Sequence, residues 1–376
     1  MRQFIKLFKS LLVAPATLGL LAPMTATANE LNLKDVSGYS SSEEVQNISE
    51  FNPAEELAVT NSRVDGLEAR FNNFEAGGFS ETTTASFSVD AVLGAIDGAT
   101  SETTSLDYQF NIGLSTSFTG EDSLDIAIDS GNSTPSVVSG AFGFDSGTTL
   151  NVDGVTYSFP VGGATMVVGD ATDISTTFTG ACVYSAFTDY TPDDCGTGNS
   201  MGVGGKGVTA TLGYAFDSGF SLAGGVTSGN TEILGDAADA FGLNAAYSAD
   251  SYGVALAYVS DDGGTGTDTT YWGLNGYYTF DLASLSVGFE TSDDGTTESD
   301  GYFVGLSFPE VGPGSVNIAA ATTGLFADSA TETLVYEASY SYALNDGMSI
   351  TPGIFIKEVD GADDQTGVAV KTSFSF

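Results

Sequence analysis

Histidine is absent from all 376 residues, and Lys and Arg together number nine against 49 Asp and Glu. Without an imidazole the chain can build no Ser-His-Asp or Cys-His nucleophile pair and no HExxH zinc site, although chemistry by paired carboxylates stays open. Nine scattered cations cannot supply the basic face that neutralises phosphate, which excludes a nucleic-acid partner. Long apolar runs are also missing: no helical stretch reaches the roughly 18 residues that a bilayer-crossing helix needs. Yet 41% of the residues are apolar, too many for simple disorder.

Arg2, Lys6 and Lys9 precede an apolar stretch from Leu11 to Leu21, and Ala26-Thr27-Ala28 is a small-x-small cleavage pattern. Residues 1–28 therefore read as a signal peptide and the protein as exported. Its removal leaves Lys34, Arg63, Arg70, Lys206, Lys357 and Lys371 as the cations of the mature chain. Cysteine is nearly absent too. Cys182 and Cys195 would meet an oxidising compartment, where they either close a disulfide or remain two unpaired thiols in a surface loop.

After a linker over 29–55, Leu57, Thr60, Val64, Leu67, Phe71 and Phe74 recur at alternating steps of three and four, the seam of a short helix over 56–77. Two roles are open for it. The helix either packs against its own domain or joins copies through Leu57, Val64, Leu67, Phe71 and Phe74 as a short coiled coil.

Beyond Gly78 the period falls to two, the period of a strand. Leu106, Tyr108, Phe110, Ile112 and Leu114 share one face while Asp107, Gln109, Asn111 and Ser115 share the other. Leu334, Tyr336, Ala338, Tyr340 and Tyr342 likewise oppose Glu337, Ser339 and Ser341. A soluble sandwich would place many Lys and Glu on its polar face. Here Ser, Thr, Asn, Gly and occasional acids fill it, and aromatics gather near strand ends. That pattern predicts an all-β fold over 78–376, a transmembrane antiparallel β-barrel with an apolar outside and a wet inside. The final strand alternates Val368, Val370, Phe374 and Phe376 with Ala369, Lys371, Ser373 and Ser375. Phe374 and the terminal Phe376 resemble the C-terminal signature that barrel-assembly machinery reads.

Connection lengths alternate between short and long, as expected of periplasmic turns and outer loops. Pro160 to Gly163, Phe216 to Gly219, Ser248 to Asp250 and Asn345 to Gly347 are short. Gly229 to Ala237, Ser260 to Gly266, Ser292 to Glu298 and Glu358 to Thr366 are long. About five strands precede the segment from Asp170 to Gly205 and eleven follow it, about 16 in all. Ser139 to Val152 reads equally as a strand pair or a loop. The long segment becomes the third outer loop, holding both cysteines with Asp173, Asp189, Asp193 and Asp194. It either folds inward as a constriction or stands outside as a flap.

Ten of the 49 acidic and six of the nine basic residues precede Gly78, so the barrel region carries 39 acids against three cations. Most acids fall in loops, with divalent cations and lipopolysaccharide as their expected surroundings. Parity points Asp90, Asp107, Asp125, Glu290 and Glu337 inward with Lys371 and Lys357. A pore lined in this way enriches cations, unless the two lysines occupy its narrowest section. Paired acids such as Asp193-Asp194 and Asp261-Asp262 sit in Gly-rich loops, where turn formation explains them better than catalysis. No metal or cofactor site is expected.

Leu31 to Gln46 (LNLKDVSGYSSSEEVQ), Ser62 to Ala76 (SRVDGLEARFNNFEA), Tyr157 to Gly162 (YSFPVG), Tyr302 to Phe308 (YFVGLSF), Val311 to Gly314 (VGPG) and the end VKTSFSF carry a resemblance. Together with the leader they resemble cyanobacterial outer-membrane porins of the iron-uptake or carbohydrate-selective type. That family usually inserts an S-layer-homology domain before its coiled coil. Here Ile48 runs through Phe51-Asn52-Pro53 straight into the helix. The resemblance implies homotrimers in the cell outer membrane that pass ions and small hydrophilic solutes without energy coupling. The competing expectation is a structural envelope protein, a loop-plugged barrel that tethers or coats the surface.

Overall fold

A computed structural model of the chain describes residues 83–132, 136–201, 207–229, 239–263 and 266–376. The expected signal peptide, linker and short helix lie outside them, as do Leu57, Val64, Leu67, Phe71, Phe74 and Lys206. Five strands precede the long segment: β1 (Thr83–Asp97), β2 (Ser105–Thr116), β3 (Ser123–Gly131), β4 (Asn151–Val161) and β5 (Ala164–Thr172). Next come β6 (Gly207–Ala215), β7 (Phe220–Ser228), β8 (Asp239–Ser248), β9 (Tyr252–Asp261), β10 (Thr269–Thr279) and β11 (Ser284–Asp293). The chain continues with β12 (Glu298–Val311), β13 (Gly314–Thr322), the two-residue β14 (Phe326–Ala327), β15 (Leu334–Asn345), β16 (Met348–Lys357) and β17 (Gln365–Ser375).

All neighbours in this order pair antiparallel, except that β13 pairs directly with β15 while β14 lies on the outer end of β12. β17 then pairs with β1, and the sheet closes as a 16-strand barrel. At the seam the Phe87 N–H donates to the Phe376 carbonyl at 2.9 Å, and the Phe376 N–H returns a bond to the Phe87 carbonyl at 3.0 Å. Their rings stack at 5.7 Å. The last residue of the chain is thus part of the closing ladder. Closure leaves no strand edge to face hydrocarbon, which cannot hydrogen-bond an amide.

Side-chain parity separates the two surfaces. Leu106 is 60% exposed on the outside of β2 while its neighbour Asp107 is buried inside. Leu243, Leu256, Leu274, Val304 and Ile354 face outward on their strands, beside inward Asn244, Ala257, Asn275, Phe303 and Phe355. Aromatic pairs ring the end where the turns are short: Tyr157 with Phe159, Tyr214 with Phe216, Phe220 with Tyr247, and Tyr278 with Phe280. Amphipathic rings at that height suit a lipid–water boundary.

The turns at this end are locally encoded. Gly219 has φ 87°, a left-handed conformation that suits glycine, and closes the turn between β6 and β7. Asp122 organises the turn from β2 to β3. Its Oδ1 accepts from the Phe118 and Thr119 N–H groups at 2.9 and 2.8 Å, and its Oδ2 accepts from the Tyr157 hydroxyl at 2.7 Å. The Thr119 backbone bond first, then the Tyr157 hydroxyl, hold the Asp122 carboxyl far below the usual carboxylate range. At the opposite end, the stretch that read as strand pair or loop is a loop. From Ser139 to Leu150 it forms no strand, and β4 takes its last two residues; a helical turn, Val137–Ala141, with a capping box between Ser136 and Ser139, overlaps its start. This turn folds inward onto Val92 and Ile96.

Parity predicts that Leu274→Arg, on the lipid side, costs roughly 2–4 kcal/mol of folding free energy in bilayers. Ser115→Arg, on the wet side, should be nearly neutral; urea titration in lipid vesicles reads both. A depressed Asp122 pKa stabilises the fold above the unfolded value of about 4, and this contribution is lost as pH falls through the lower folded value. Asp122→Asn should therefore unfold more readily than wild type at neutral pH and converge with it in strong acid.

Candidate functional site: the loop inside the barrel

The connection from β5 to β6 does not leave the barrel mouth. A register shift between Gly169 and Thr172, with Ala171 at φ 53°, re-aims the chain where β5 ends. Asp173 caps the next turn, Ile174–Thr177, accepting the Ser175 N–H at 2.7 Å. The turn lies beside β5, β6 and β7, and its Ile174 is fully buried against Ala240 and Val259 on the inner faces of β8 and β9.

From there inward-facing side chains hold the loop backbone one strand after another. Asn244 accepts the Thr179 N–H at 2.8 Å and donates to the Thr179 carbonyl at 3.2 Å. Asn275 accepts the Ala181 N–H at 2.8 Å and donates to the Asp194 carbonyl at 3.0 Å. Ser286 accepts the Val183 N–H at 3.3 Å. These side chains do for the loop what a neighbouring strand would do, satisfying backbone groups that burial would otherwise leave unpaired.

Two glutamates complete the hold. Glu337, 3% exposed, takes the Tyr184 hydroxyl and the Phe187 N–H on one oxygen, at 2.9 and 2.8 Å. Its other oxygen takes the Thr188 N–H and hydroxyl at 3.0 and 2.8 Å. Glu290, 1% exposed, takes the Ser200 N–H and hydroxyl, both at 2.6 Å, and the Asn199 side-chain amide at 2.7 Å. Burial first, then the Glu337 carboxylate, push the Tyr184 phenol far up, so it remains a donor. A buried carboxylate is tolerable only with such partners, and here the loop supplies them.

The wall makes room by omitting side chains. A Cβ at Gly242 would fall on Ile174, at Gly273 on the Ser200 hydroxyl, at Gly288 on the Cys195 carbonyl, at Gly305 on Tyr184 and at Gly353 on Phe187. Inward glycines on β8, β10, β11, β12 and β16 thus trace the path of the loop. Cys182 and Cys195 are bridged, with Cα atoms 5.7 Å apart. The bridge closes the lobe that reaches Glu337, and Asp194 and Cys195 take consecutive left-handed conformations at its neck. At the lobe's far side Phe187 meets Phe142 edge-on at 5.1 Å, Asp189 N–H donates to the Ala141 carbonyl, and the Lys357 ammonium lies 3.9 Å from the Tyr190 ring centroid.

The part of the wall that runs from Ser86 on β1 through Ser115 and Asp125 to Thr156 on β4, beside the start of the loop and clear of the Val137–Ala141 turn, stays uncovered. A cavity of 390 Å³ opens there among Ser86, Ser115, Asp125, Asp153, Thr156 and Asp173. A second of 430 Å³ adjoins it, sharing Asp125 and Thr156 and adding Thr165, Thr179 and Ser221. Asp153 is the extra residue of a bulge opposite Ala127 and Ile128, which turns it toward this space.

The expected acids therefore divide. Asp125 and Asp173 line the open side. Asp107 lies inside under the hydroxyls of Ser105 and Ser136. Asp90 accepts the Ser373 hydroxyl and faces Lys371 at 4.0 Å. Asp189 and Asp194 are exposed on the loop, and Asp193 begins the turn at its neck. Glu290 and Glu337 face inward but are occupied by the loop, and Lys357 rests on Tyr190. Asp261 accepts the Gly263 N–H in turn geometry, and Asp262 accepts the Asp239 N–H across the strand ends. Sequence reasoning passed over Asn244, Asn275 and Asp153. The signal available for the asparagines was an uncharged amide at an inward position two residues after an inward glycine, Gly242 or Gly273.

No family model and no curated protein matches the chain. Among solved structures, it is similar to the anion-selective porin from Comamonas acidovorans at 14% identity and TM-score 0.57, over 78% of this chain and 99% of that one. It is similar to a loop-deletion mutant of OmpT, an outer membrane protein of Vibrio cholerae, at 11% identity and TM-score 0.58, with the same coverage. A mutant of the Rh. blastica porin aligns over 78% of this chain and all of that one, at 15% identity and TM-score 0.53. At these identities the likeness is one of fold.

Gly288→Ala should lift the disulfide turn off β11, and Glu337→Ala should release the lobe by removing charge-assisted hydrogen bonds of about 1.5–3 kcal/mol each. Limited proteolysis of the folded protein is expected to cut between Val183 and Asp194 in both variants and to spare wild type.

Proposed function

We propose that this chain is an outer-membrane porin, a water-filled channel for passive diffusion of ions and small hydrophilic solutes with a mild preference for cations. One observation carries the reading: the side chains that anchor the inward loop lie on strands β8 to β16, and beside its start two adjoining hydroxyl- and carboxylate-lined cavities of 390 and 430 Å³ stay open. A plug would be expected to seal both sides. The preference follows from the distribution of charge. Asp125, Asp153 and Asp173 border the passage, while Lys371 faces Asp90 and Lys357 is drawn onto an aromatic ring. Fixed negative charge on one wall raises the local concentration of cations. The reading requires no catalysis.

The finer assignment rests on sequence. The segments from Leu31 to Gln46 and from Ser62 to Ala76 favour the cyanobacterial branch, with its carbohydrate- or iron-linked members. The resemblance implies a homotrimer, and the seam of Leu57, Val64, Leu67, Phe71 and Phe74 is consistent with self-association. Phe376, placed in the closing ladder, suits recognition by the barrel-assembly machinery, and the acidic loops suit a lipopolysaccharide surface bridged by divalent cations.

Purified protein in planar bilayers should give stable open conductance, with a reversal potential on the cation side under a salt gradient. Asp125→Asn should move that potential toward zero. The shift should be larger near 0.01 M salt, where charge acts over about 30 Å, than near 1 M, where it acts over about 3 Å. A silent bilayer with verified insertion would favour the loop-plugged envelope protein instead.

A further inference from the structure

The two adjoining cavities of the open wall differ in charge. The first reaches toward the long-loop end through Asp153, near the start of β4 as it descends from that end, and Asp173, just past the end of β5. Asp125 lies deeper, because β3 rises from the opposite end and carries it near its start. The second cavity reaches the short-turn end through Ser158, Thr165 and Ser221, and Asp125 at the shared edge is the only carboxylate among its lining residues. Fixed charge along the passage therefore falls in a step.

Neither described lysine offsets the step. Lys371 is matched by Asp90 and Lys357 rests on Tyr190, and neither lysine lines either cavity. The rims repeat the contrast: no short turn carries more than two acids, whereas the stretches 293–300 and 358–364 at the long-loop end carry four apiece.

We propose that this step makes the passage rectify ion current, conducting better when cations move from the long-loop face to the short-turn face than when the same voltage is reversed. The proposal deepens the porin reading and rests on it. Beside Asp153 and Asp173, carboxylates attract cations and repel anions, so cations carry the larger share of the current. Beside the hydroxyls of the second cavity both ions carry it. With the long-loop face positive, cations reach the step faster than the hydroxyl-lined half alone carries them off, and anions arriving from the other side are held back where the carboxylates begin. Salt accumulates at the step and resistance falls. The reverse voltage draws both ions away from the step, and resistance rises. The asymmetry lies in conductance alone and needs no energy coupling.

Single channels of the full-length protein in planar bilayers read the effect at equal and opposite voltages. In symmetric salt near 0.1 M, where charge acts over about 10 Å, the two currents should differ by at least about 1.3-fold; near 1 M, where it acts over about 3 Å, they should be almost equal. A large thiol reagent applied to one face of a channel carrying Asp363→Cys, on the loop after β16, identifies the long-loop face, and the larger current should flow with that face positive. Asp153→Asn should lower both the current ratio and the cation preference. Thr165→Asp should lower the ratio while raising the preference, because it extends the charge into the hydroxyl-lined half. Ser158→Asp repeats that change on β4 if Thr165→Asp disturbs folding. An open channel with equal currents in dilute salt, a larger current of the opposite sign, or a ratio unmoved by these variants would overturn the proposal and leave the porin reading standing. A silent bilayer with verified insertion would overturn both.

Discussion

Hydrocarbon offers an amide no hydrogen-bond partner, and this constraint fixes most of the molecule's architecture. Every strand must pair on both sides, so the sheet closes and β17 meets β1 with the last residue still in the ladder. Closure in turn makes parity absolute. One set of alternate residues faces lipid and the other faces the enclosed space, where Ser, Thr, Asn and acids keep their hydration. A chain with so few cations can span a membrane in this way because its carboxylates lie inside, in the loops or at the rims, away from the hydrocarbon.

The enclosed space is then divided by a second interaction, the capture of the inward loop by the wall. Glu290 and Glu337 would be costly to bury alone, and the backbone of the loop would be costly to bury without acceptors. Each resolves the demand of the other. Glycines at matching heights allow the approach, and the disulfide keeps the lobe that reaches Glu337 closed. Because these anchors all lie on strands from β8 to β16, the loop is held to one side. The opposite side keeps its Asp125, Asp153 and Asp173 in contact with open space.

Much of the fold was legible in the sequence. Period-two alternation located the strands, and short turns alternating with long loops gave five strands before the long segment and eleven after it. Parity placed Asp90, Asp107, Asp125, Glu290 and Glu337 inside. It could not separate a carboxylate facing water from one facing a loop, since that depends on where a distant segment comes to rest. Hence Glu290 and Glu337 read like Asp125 although their surroundings are opposite. The direction of the loop was likewise illegible locally, because its own residues are compatible with either course. The trace was on the wall, in inward glycines spread over five strands, which acquire meaning only once those strands are set side by side. The stretch from Ser139 to Val152 stayed ambiguous for a related reason: a five-residue helical turn gives too short a pattern to distinguish from strand ends.

The central claim is that water fills one side of the barrel while the loop seals the other. Thiol labelling measures this most directly, with single cysteines introduced by Ser115→Cys and Thr156→Cys on the open wall, Ser286→Cys beneath the loop and Leu114→Cys on the lipid face. The native disulfide is kept intact, and a hydrophilic membrane-impermeant reagent is applied to protein in vesicles. The account predicts rapid labelling at positions 115 and 156 and protection at 286 and 114. Protection at 115 and 156, or labelling at 286 as fast as at 115, would contradict it.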